Sequence, residues 1–594
     1  MKTDVTYLGK IINVDCNSIE VEVSQEIPSS APIIDGKIHR IGQIGTLVKV
    51  LVGNLTSFGM VSSVSNIRSD EKDQAQIPLN GSSFLRIELL GEKIGTFGFA
   101  RGIGTYPTIN DEVHLVLDED LLTIYGNYRE GLLEIGKHSS SDTLSVYLDL
   151  EKLVLRHCAI LGSTGSGKSN TTANIIKNIY ESYPGARIIL VDTNGEYESA
   201  FKDDAKILKI KAKENPLVIP YWIMTFDELS TFLVERPENR DTPEDKRLRE
   251  EILLMKKENA KKLKIGEIDI ERITVDSPIP FDLKKLWYKL NREVNATYKV
   301  ADENKQTEDE EELEKKGDAN KLIPDKFKPY AQGAVAPYKS KRQMMYSYEK
   351  KIYLRLKDSR FNFLLEPVNY CGQETDSDID ELIKAWIDND KRLTILDLNE
   401  VPFELIDITV GLITRLIFDS MYWGRYEPYT GRNRPLLMVF EEAHSYLPKE
   451  EKGKLVYARK AVERIFKEGR KFGVGAMVVT QRPSEISETI LAQVGTFIAL
   501  RLTNEKDQST VKGSAPNNMS SLIDLLPSLR IGEAIIVGEA IQIPSRVRID
   551  LVEPRPSSSD PELVKNWKKT FIKKPDNYKK IVTAMREQKH IGGK

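Results

Sequence analysis

Apolar and polar residues alternate in short runs along the first 130 positions. Ser18-Ile19-Glu20-Val21-Glu22-Val23, Gly45-Thr46-Leu47-Val48-Lys49-Val50 and Glu112-Val113-His114-Leu115-Val116-Leu117 follow this pattern. It is the period of a strand with one buried face. Gly, Pro, Asn and Asp separate the runs, which predicts many short strands in a closed barrel or a sandwich. From about residue 131 the pattern changes. Ala159-Ile160-Leu161 and Arg187-Ile188-Ile189-Leu190-Val191-Asp192 are continuous apolar runs with a helical stretch between them. Such a β-α-β unit predicts a parallel sheet.

Residues 205–390 are rich in Lys, Glu and Leu at helical spacing, as in 245–263 and 344–356, and predict a helical insertion. Strand-like runs then return at Leu393–Leu398, Leu436–Phe440, Ala476–Thr480, Thr496–Leu500 and Glu533–Val537. The expected organisation is a β domain (1–130), a first half of the core (131–204), the insertion (205–390), a second half of the core (391–555) and a basic helical tail (556–594). Within the insertion, Glu308-Asp309-Glu310-Glu311-Glu312 predicts a mobile solvated loop, with an acidic partner-binding segment as the other reading. Gly98, Gly102 and Gly104 read as a turn between strands, because no strand–helix pair frames them.

Composition narrows the class. The 594 residues have room for about three or four domains. Hydrophobic content of 40% and charged content of 29% fit a soluble globular chain. No apolar run approaches the roughly 20 residues that span a bilayer, and Met1-Lys2-Thr3-Asp4 opens no signal-peptide core. A cytoplasmic protein without membrane insertion is expected. A net charge of −3 excludes a basic coat protein, but not a ring whose Lys and Arg line a channel. Cys16, Cys158 and Cys371 lie far apart, and the six histidines form no cluster, so neither a disulfide framework nor a zinc site is expected.

The chemistry is concentrated in Gly162-Ser163-Thr164-Gly165-Ser166-Gly167-Lys168-Ser169. A strand-like run precedes it, and Asn170 begins a stretch that can form a helix. Glycines let backbone N–H groups close around phosphates, and the helix N-terminus adds its positive dipole end. Lys168 would reach the β- and γ-phosphates, Ser169 would ligate Mg²⁺, and Asn170 counts with the loop among the expected nucleotide-binding residues. ATP and Mg²⁺ are the expected cofactors.

Further candidates lie at strand ends, where ligands of open parallel sheets bind. Leu436–Phe440 runs into Glu441 and Glu442. One acid can hold Mg²⁺ through water and the other can polarise the attacking water. Glu442 is the candidate base and Glu441 the candidate metal-side acid. Asp192 and Glu196 end another strand; Glu196 can assist water or metal, while Asp192 faces the phosphates or caps the turn. Gln481 is placed to sense the γ-phosphate or belongs to a plain turn before Pro483. Arg470, then Arg464, are candidates for an arginine finger reaching a neighbouring subunit; either can instead be a surface ion-pair residue.

Together these pieces resemble the HerA family of hexameric ATPases, within the wider HerA/FtsK group of DNA-pumping motors. The resemblance rests on Ile135-Gly136-Lys137-His138, the stretch from Leu153 to Ser169, Asp192 with Gly195-Glu196-Tyr197, Glu441-Glu442-Ala443-His444, Glu468-Gly469-Arg470-Lys471-Phe472-Gly473, Thr480-Gln481-Arg482-Pro483 and Gly532-Glu533-Ala534. The family commonly carries Asp where this chain has Glu441. The resemblance implies a RecA-like P-loop core with a parallel central sheet and an N-terminal HAS-type barrel. It also implies a homohexamer with ATP sites between subunits, translocation on double-stranded DNA, and a partner nuclease or sirtuin-like effector on the barrel. DNA end processing and anti-phage defence are both roles it implies. The alternatives are an ATP-gated ring scaffold and a conjugation- or secretion-type DNA pump.

Overall fold

The computed structural model describes residues 6–24, 33–34, 37–38, 43–65, 83–95, 98–125, 129–139, 141, 143–210, 212–235, 241–263, 268–330, 337–339, 343–367, 369–370, 378–449, 456–515, 520–557, 563–569 and 576–587. Cys371 and parts of the C-terminal tail lie outside them. The chain divides into two compact units. One comprises 1–205, 418–454 and 462–558; the other comprises 206–417, 455–461 and 559–594.

The alternating runs of the first unit close into an antiparallel barrel. Its strands run in the order Ser18–Val23, Tyr7–Val14, Glu112–Leu115, Leu47–Val52, Leu55–Ser65, Phe84–Ile94, and Ser18–Val23 pairs again with Phe84–Ile94 to close the ring. That closure decides between barrel and sandwich and removes the free edges. Every second side chain points inward: Ile19 with Val21, Val48 with Val50, Leu85 with Ile87, and Val113 with Leu115 fill one core. The glycine-rich 98–104 segment carries the short strand Phe99–Arg101, and the Glu92 carboxylate accepts the Gly104 N–H at 3.0 Å.

The same unit holds nine strands of a second sheet. Their order is Ser145–Asp149, Leu132–His138, Ser545–Ile549, Glu533–Gly538, Thr496–Leu500, Cys158–Leu161, Val474–Thr480, Leu436–Phe440, Ile188–Asp192. The last five are mutually parallel and buried along their whole length. This is why they read as continuous apolar runs rather than alternating ones. Barrel and sheet share hydrogen bonds: Arg101 donates to the Gly538 carbonyl at 2.8 Å.

The second unit is mainly helical, with helices such as Pro243–Leu263, Leu283–Asn295 and Tyr346–Lys357. It extends past residue 390 to include the strand Leu393–Asp397. The acidic run departs from expectation. Glu308–Glu310 forms a single 3-10 turn, and Leu313–Lys315 pairs with Lys326–Phe327. Arg292 bridges Glu311 at 2.5 Å and the buried Asp325 at 3.4 Å, and Lys328 holds Glu312 at 2.5 Å. The run is thus a folded lobe rather than a mobile loop. Its counter-charges lie too far along the chain for a local charge count to find them. No helix among the described residues is long and apolar enough to cross a membrane.

Candidate active site

The phosphate loop leaves the buried strand Cys158–Leu161 and enters the helix Lys168–Ser182. A side chain at Gly162 would put its Cβ 2.5 Å from Ser166 Oγ and 2.9 Å from Leu500 Cβ, so only glycine fits. Gly165 (φ +73°) and Gly167 (φ +110°) take backbone angles that other residues resist. The loop is framed by its own backbone: Ser163 N–H donates to Arg501 O at 2.8 Å, Ser166 N–H to Ser163 O at 3.1 Å, and Gly532 N–H to Ser166 O at 3.0 Å. Ser163 and Ser166 therefore spend these donors on loop shape. No side chain caps the helix, which leaves its leading N–H groups for an anion. Lys168 is buried, and its ammonium rests on Ser163 O at 3.4 Å.

Carboxylates surround this lysine. Ser169 Oγ donates to Glu196 Oε2 at 2.9 Å. Glu441 is fully buried at the end of Leu436–Phe440 and accepts the Tyr197 hydroxyl at 2.9 Å. Burial and the neighbouring Glu442 charge push its pKa up to about 8, with Lys168 opposing. Glu442 stands next in the chain with φ +47°, a left-handed conformation that costs a non-glycine residue about 1–3 kcal/mol. Ser445 holds it there through its N–H at 2.9 Å and its Oγ at 2.8 Å, both donated to Glu442 O. The consequence is that the two acids do not continue the strand; the second is turned into the pocket. Glu442 Oε2 is buried and lacks a hydrogen bond among the described residues. It lies 3.2 Å from His444 Nδ1, which is also 3.3 Å from Thr480 Oγ1. Burial raises the Glu442 pKa, and Lys168 works against that rise.

Gln481 follows the strand Val474–Thr480, and Thr164 Oγ donates to its side-chain oxygen at 2.5 Å. It therefore sits on the rim of the phosphate loop. Asn170 is placed otherwise than expected, and for Asp192 and Arg464 the second of their two readings is the one observed. Asn170 turns away from the loop: its amide donates to Asp550 O and its oxygen accepts Val552 N–H, each at 3.0 Å. Asp192 takes the turn-capping role, accepting N–H groups of Asn194, Gly195 and Tyr197 at 3.2, 2.8 and 3.0 Å. Those bonds fix the backbone that carries Glu196. Arg464 pairs with Asp419 at 3.0 Å and lies 4.3 Å over the Phe418 ring, so its guanidinium is engaged within its own chain. Arg470, by contrast, is exposed and has no side-chain partner among the described residues.

Other residues carry roles that motif reading passed over. Tyr197 ties the end of one strand to Glu441 on the next. Asn170, Asn174 and Asn178 form a ladder on one helix face, the first two bonding to Asp550 O and the third to Glu134 O. Their spacing of four is visible in the sequence and puts them on one side of a helix.

The buried Glu441 with the half-buried Glu442 beside it suits a divalent cation. Glu441 holds a raised pKa because negative charge is crowded out of water, and a cation relieves that crowding. No group of three or more His, Cys, Asp or Glu among the described residues forms a metal cage. That suits Mg²⁺, which takes one or two protein oxygens and completes its shell from phosphate and water.

The Glu441 shift has a measurable sign. Its pKa stands at about 8 in the folded chain against 4.5 ordinarily. The folded state therefore keeps a proton that the unfolded state releases, and stability falls as pH rises across that window. The melting temperature of nucleotide-free protein is expected to drop between about pH 5 and pH 8 more steeply than that of Glu441→Gln. Parallel pH profiles would contradict the assignment.

What this geometry offers is a cationic cradle for a phosphate chain with acids aimed at its far end, and it places the protein among the P-loop ATPases. Residues 133–417 match the family profile of the helicase HerA central domain, and residues 428–581 match that of the HerA-like C-terminal region. The chain belongs to the HerA helicase family. It is 31% identical over 454 residues to the DNA double-strand break repair helicase HerA of Saccharolobus solfataricus, covering 76% of this chain and 75% of that one. A protein of Methanocaldococcus jannaschii, named a probable helicase, is 27% identical over 549 residues, covering 89% and 90%. Among solved structures, VirB4 of Thermoanaerobacter pseudethanolicus aligns at 15% identity with a TM-score of 0.45, covering 72% of this chain and 98% of that one.

Proposed function

We propose that the chain acts as an ATP-driven motor that pulls double-stranded DNA through a homohexameric ring in the cytoplasm, opening the duplex when coupled to a partner nuclease or effector. The observation that carries this reading is Glu442: a carboxylate on a left-handed backbone at the strand tip, within the electrostatic reach of Lys168 and with its buried Oε2 beside His444. Lys168 and the helix N-terminus bind the β- and γ-phosphates. Ser169 and Glu441 would hold Mg²⁺, which neutralises charge on the phosphate oxygens. Glu442 orients the attacking water and takes its proton, while His444 holds the Glu442 carboxylate in place. Gln481 senses the γ-phosphate from the loop rim, and Glu196, which accepts the Ser169 hydroxyl, would orient that hydroxyl for the metal.

Arg470 completes the neighbouring subunit's site as an arginine finger. Its lack of a side-chain partner among the described residues supports this over Arg464. The relatives named for break repair favour DNA end processing over defence. Exposed apolar side chains on the barrel, Leu51, Val64 and Ile94, support it as the docking platform for the nuclease or sirtuin-like partner.

The test is steady-state ATP turnover with and without duplex DNA. Duplex is expected to raise turnover several-fold, with an effect that weakens steeply with salt because phosphate contacts carry it. Arg470→Ala is expected to lower the stimulated rate about 10³-fold while sparing ATP binding. Doping it into wild-type rings should poison neighbouring sites. A rate indifferent to DNA would sink the proposal.

A further inference from the structure

The segment 423–434, Trp-Gly-Arg-Tyr-Glu-Pro-Tyr-Thr-Gly-Arg-Asn-Arg, joins the end of the helix Phe403–Trp423 to the strand Leu436–Phe440. It precedes that strand, whereas Glu441 and Glu442 follow it. The strand runs parallel to Val474–Thr480 and, through it, to Cys158–Leu161. The segment therefore sits at the amino ends of the strands, opposite the phosphate loop, about 16 Å of strand away.

Its aromatic side chains are almost bare: Trp423 is 79% exposed, Tyr426 81% and Tyr429 74%. A tryptophan is ordinarily well buried, and here three flat rings recur at intervals of three residues. The loop beneath them is stiff. Glu427 N–H donates to Gly424 O at 3.0 Å, and the Asn433 amide donates to Glu427 O at 3.1 Å. Gly431 has φ +58°, and a Cβ there would lie 2.5 Å from Arg425 Cα. Behind the loop, Tyr422 packs edge-on to Trp423 and Phe472, with ring centroids 5.2 and 5.0 Å away. The Arg425 guanidinium lies 4.7 Å over Tyr426 and 5.2 Å over Tyr422. Three arginines stand against one glutamate in a chain of net charge −3.

We propose that 423–434 is a stacking platform for the unpaired bases of a single nucleic-acid strand, separate from the ATP site. Aromatic rings held rigidly in solvent beside arginines bind bases by stacking and backbone phosphates by charge. A duplex presents no base faces to such rings. A second copy of the same patch would bring like charge against like. A single polyanionic strand answers both the flat rings and the charge. On the motor reading, this strand is the one released as the duplex opens, but the platform itself needs neither ATP nor hydrolysis.

Fluorescence anisotropy of the full chain, without ATP, tests it with three probes: a labelled oligothymidylate, the same backbone lacking bases, and a duplex of equal length. Wild type is expected to bind oligothymidylate about ten-fold or more tighter than the abasic strand. Trp423→Ala and Tyr426→Ala should each lose about ten-fold on oligothymidylate alone. Trp423→Phe should keep most of the affinity. Duplex binding, melting temperature and basal ATPase should stay at wild-type values in all three variants. Equal affinity of wild type for oligothymidylate and the abasic strand overturns the proposal, as does unchanged affinity of the alanine variants. Loss of ring mass in Trp423→Ala, with Trp423→Phe restoring it, would instead make this face a contact between copies of the chain. Because no ATP is present, failure here leaves the motor reading standing, and failure of DNA-stimulated turnover leaves the platform standing.

Discussion

Glu442→Gln is expected to lower ATP turnover by about 10²–10⁴-fold, the usual effect of losing a positioned general base, while ATP stays bound. The substitution keeps the shape of the side chain and its place at the strand tip. It removes the charge that draws a proton from water. Because Glu442 sits in a left-handed backbone conformation fixed through Ser445, the amide should occupy the same pocket position. Nucleotide affinity should hold or tighten, since the buried Glu441 and the half-buried Glu442 would stand near the triphosphate and one becomes neutral. Single-turnover kinetics with trapped nucleotide would read this directly. A variant that hydrolyses ATP at the normal rate would move the base assignment elsewhere, with Glu196, hydrogen-bonded to Ser169, the next residue to test.

Lys168→Ala should abolish measurable turnover and weaken nucleotide binding by about 10–150-fold, the scale of a charged hydrogen bond to phosphate. Two effects combine. The phosphate loses its buried cation, and the acids lose the positive charge that holds down the pKa values of both Glu441 and Glu442. The variant's base should therefore keep its proton to higher pH. Any residual activity is expected to rise with pH over a range where wild type is already flat. Lys168→Arg should restore part of the binding and little of the turnover, because a larger guanidinium cannot settle against Ser163 O where the ammonium does. Wild-type affinity in Lys168→Ala would contradict the site as described.

Much of this site was legible in the sequence because its parts are local. The glycines of the phosphate loop fall within eight residues and are demanded by backbone angles and close approaches there. Glu441 and Glu442 follow directly on the apolar strand that presents them. The alternation in 1–130 gave the strands of the barrel, but its closure depends on Ser18–Val23 meeting Phe84–Ile94, a pairing across more than sixty residues that periodicity does not encode. The misplacements share that cause. Asn170 follows the loop in sequence, yet its amide answers Asp550 and Val552. The acid run 308–312 looked unpaired until Arg292 and Lys328 came to it in space. Asp192 stood between two local readings, and the three N–H groups that follow it decided for the cap.

The central claim, that ATP cleavage in this pocket moves the protein along duplex DNA, is tested most directly by displacement of a third strand from a DNA triplex. Wild type with Mg²⁺ and ATP is expected to strip the third strand, while Glu442→Gln or a non-hydrolysable ATP analogue should leave it in place. ATP consumed at full rate on duplex with the triplex intact would contradict the claim.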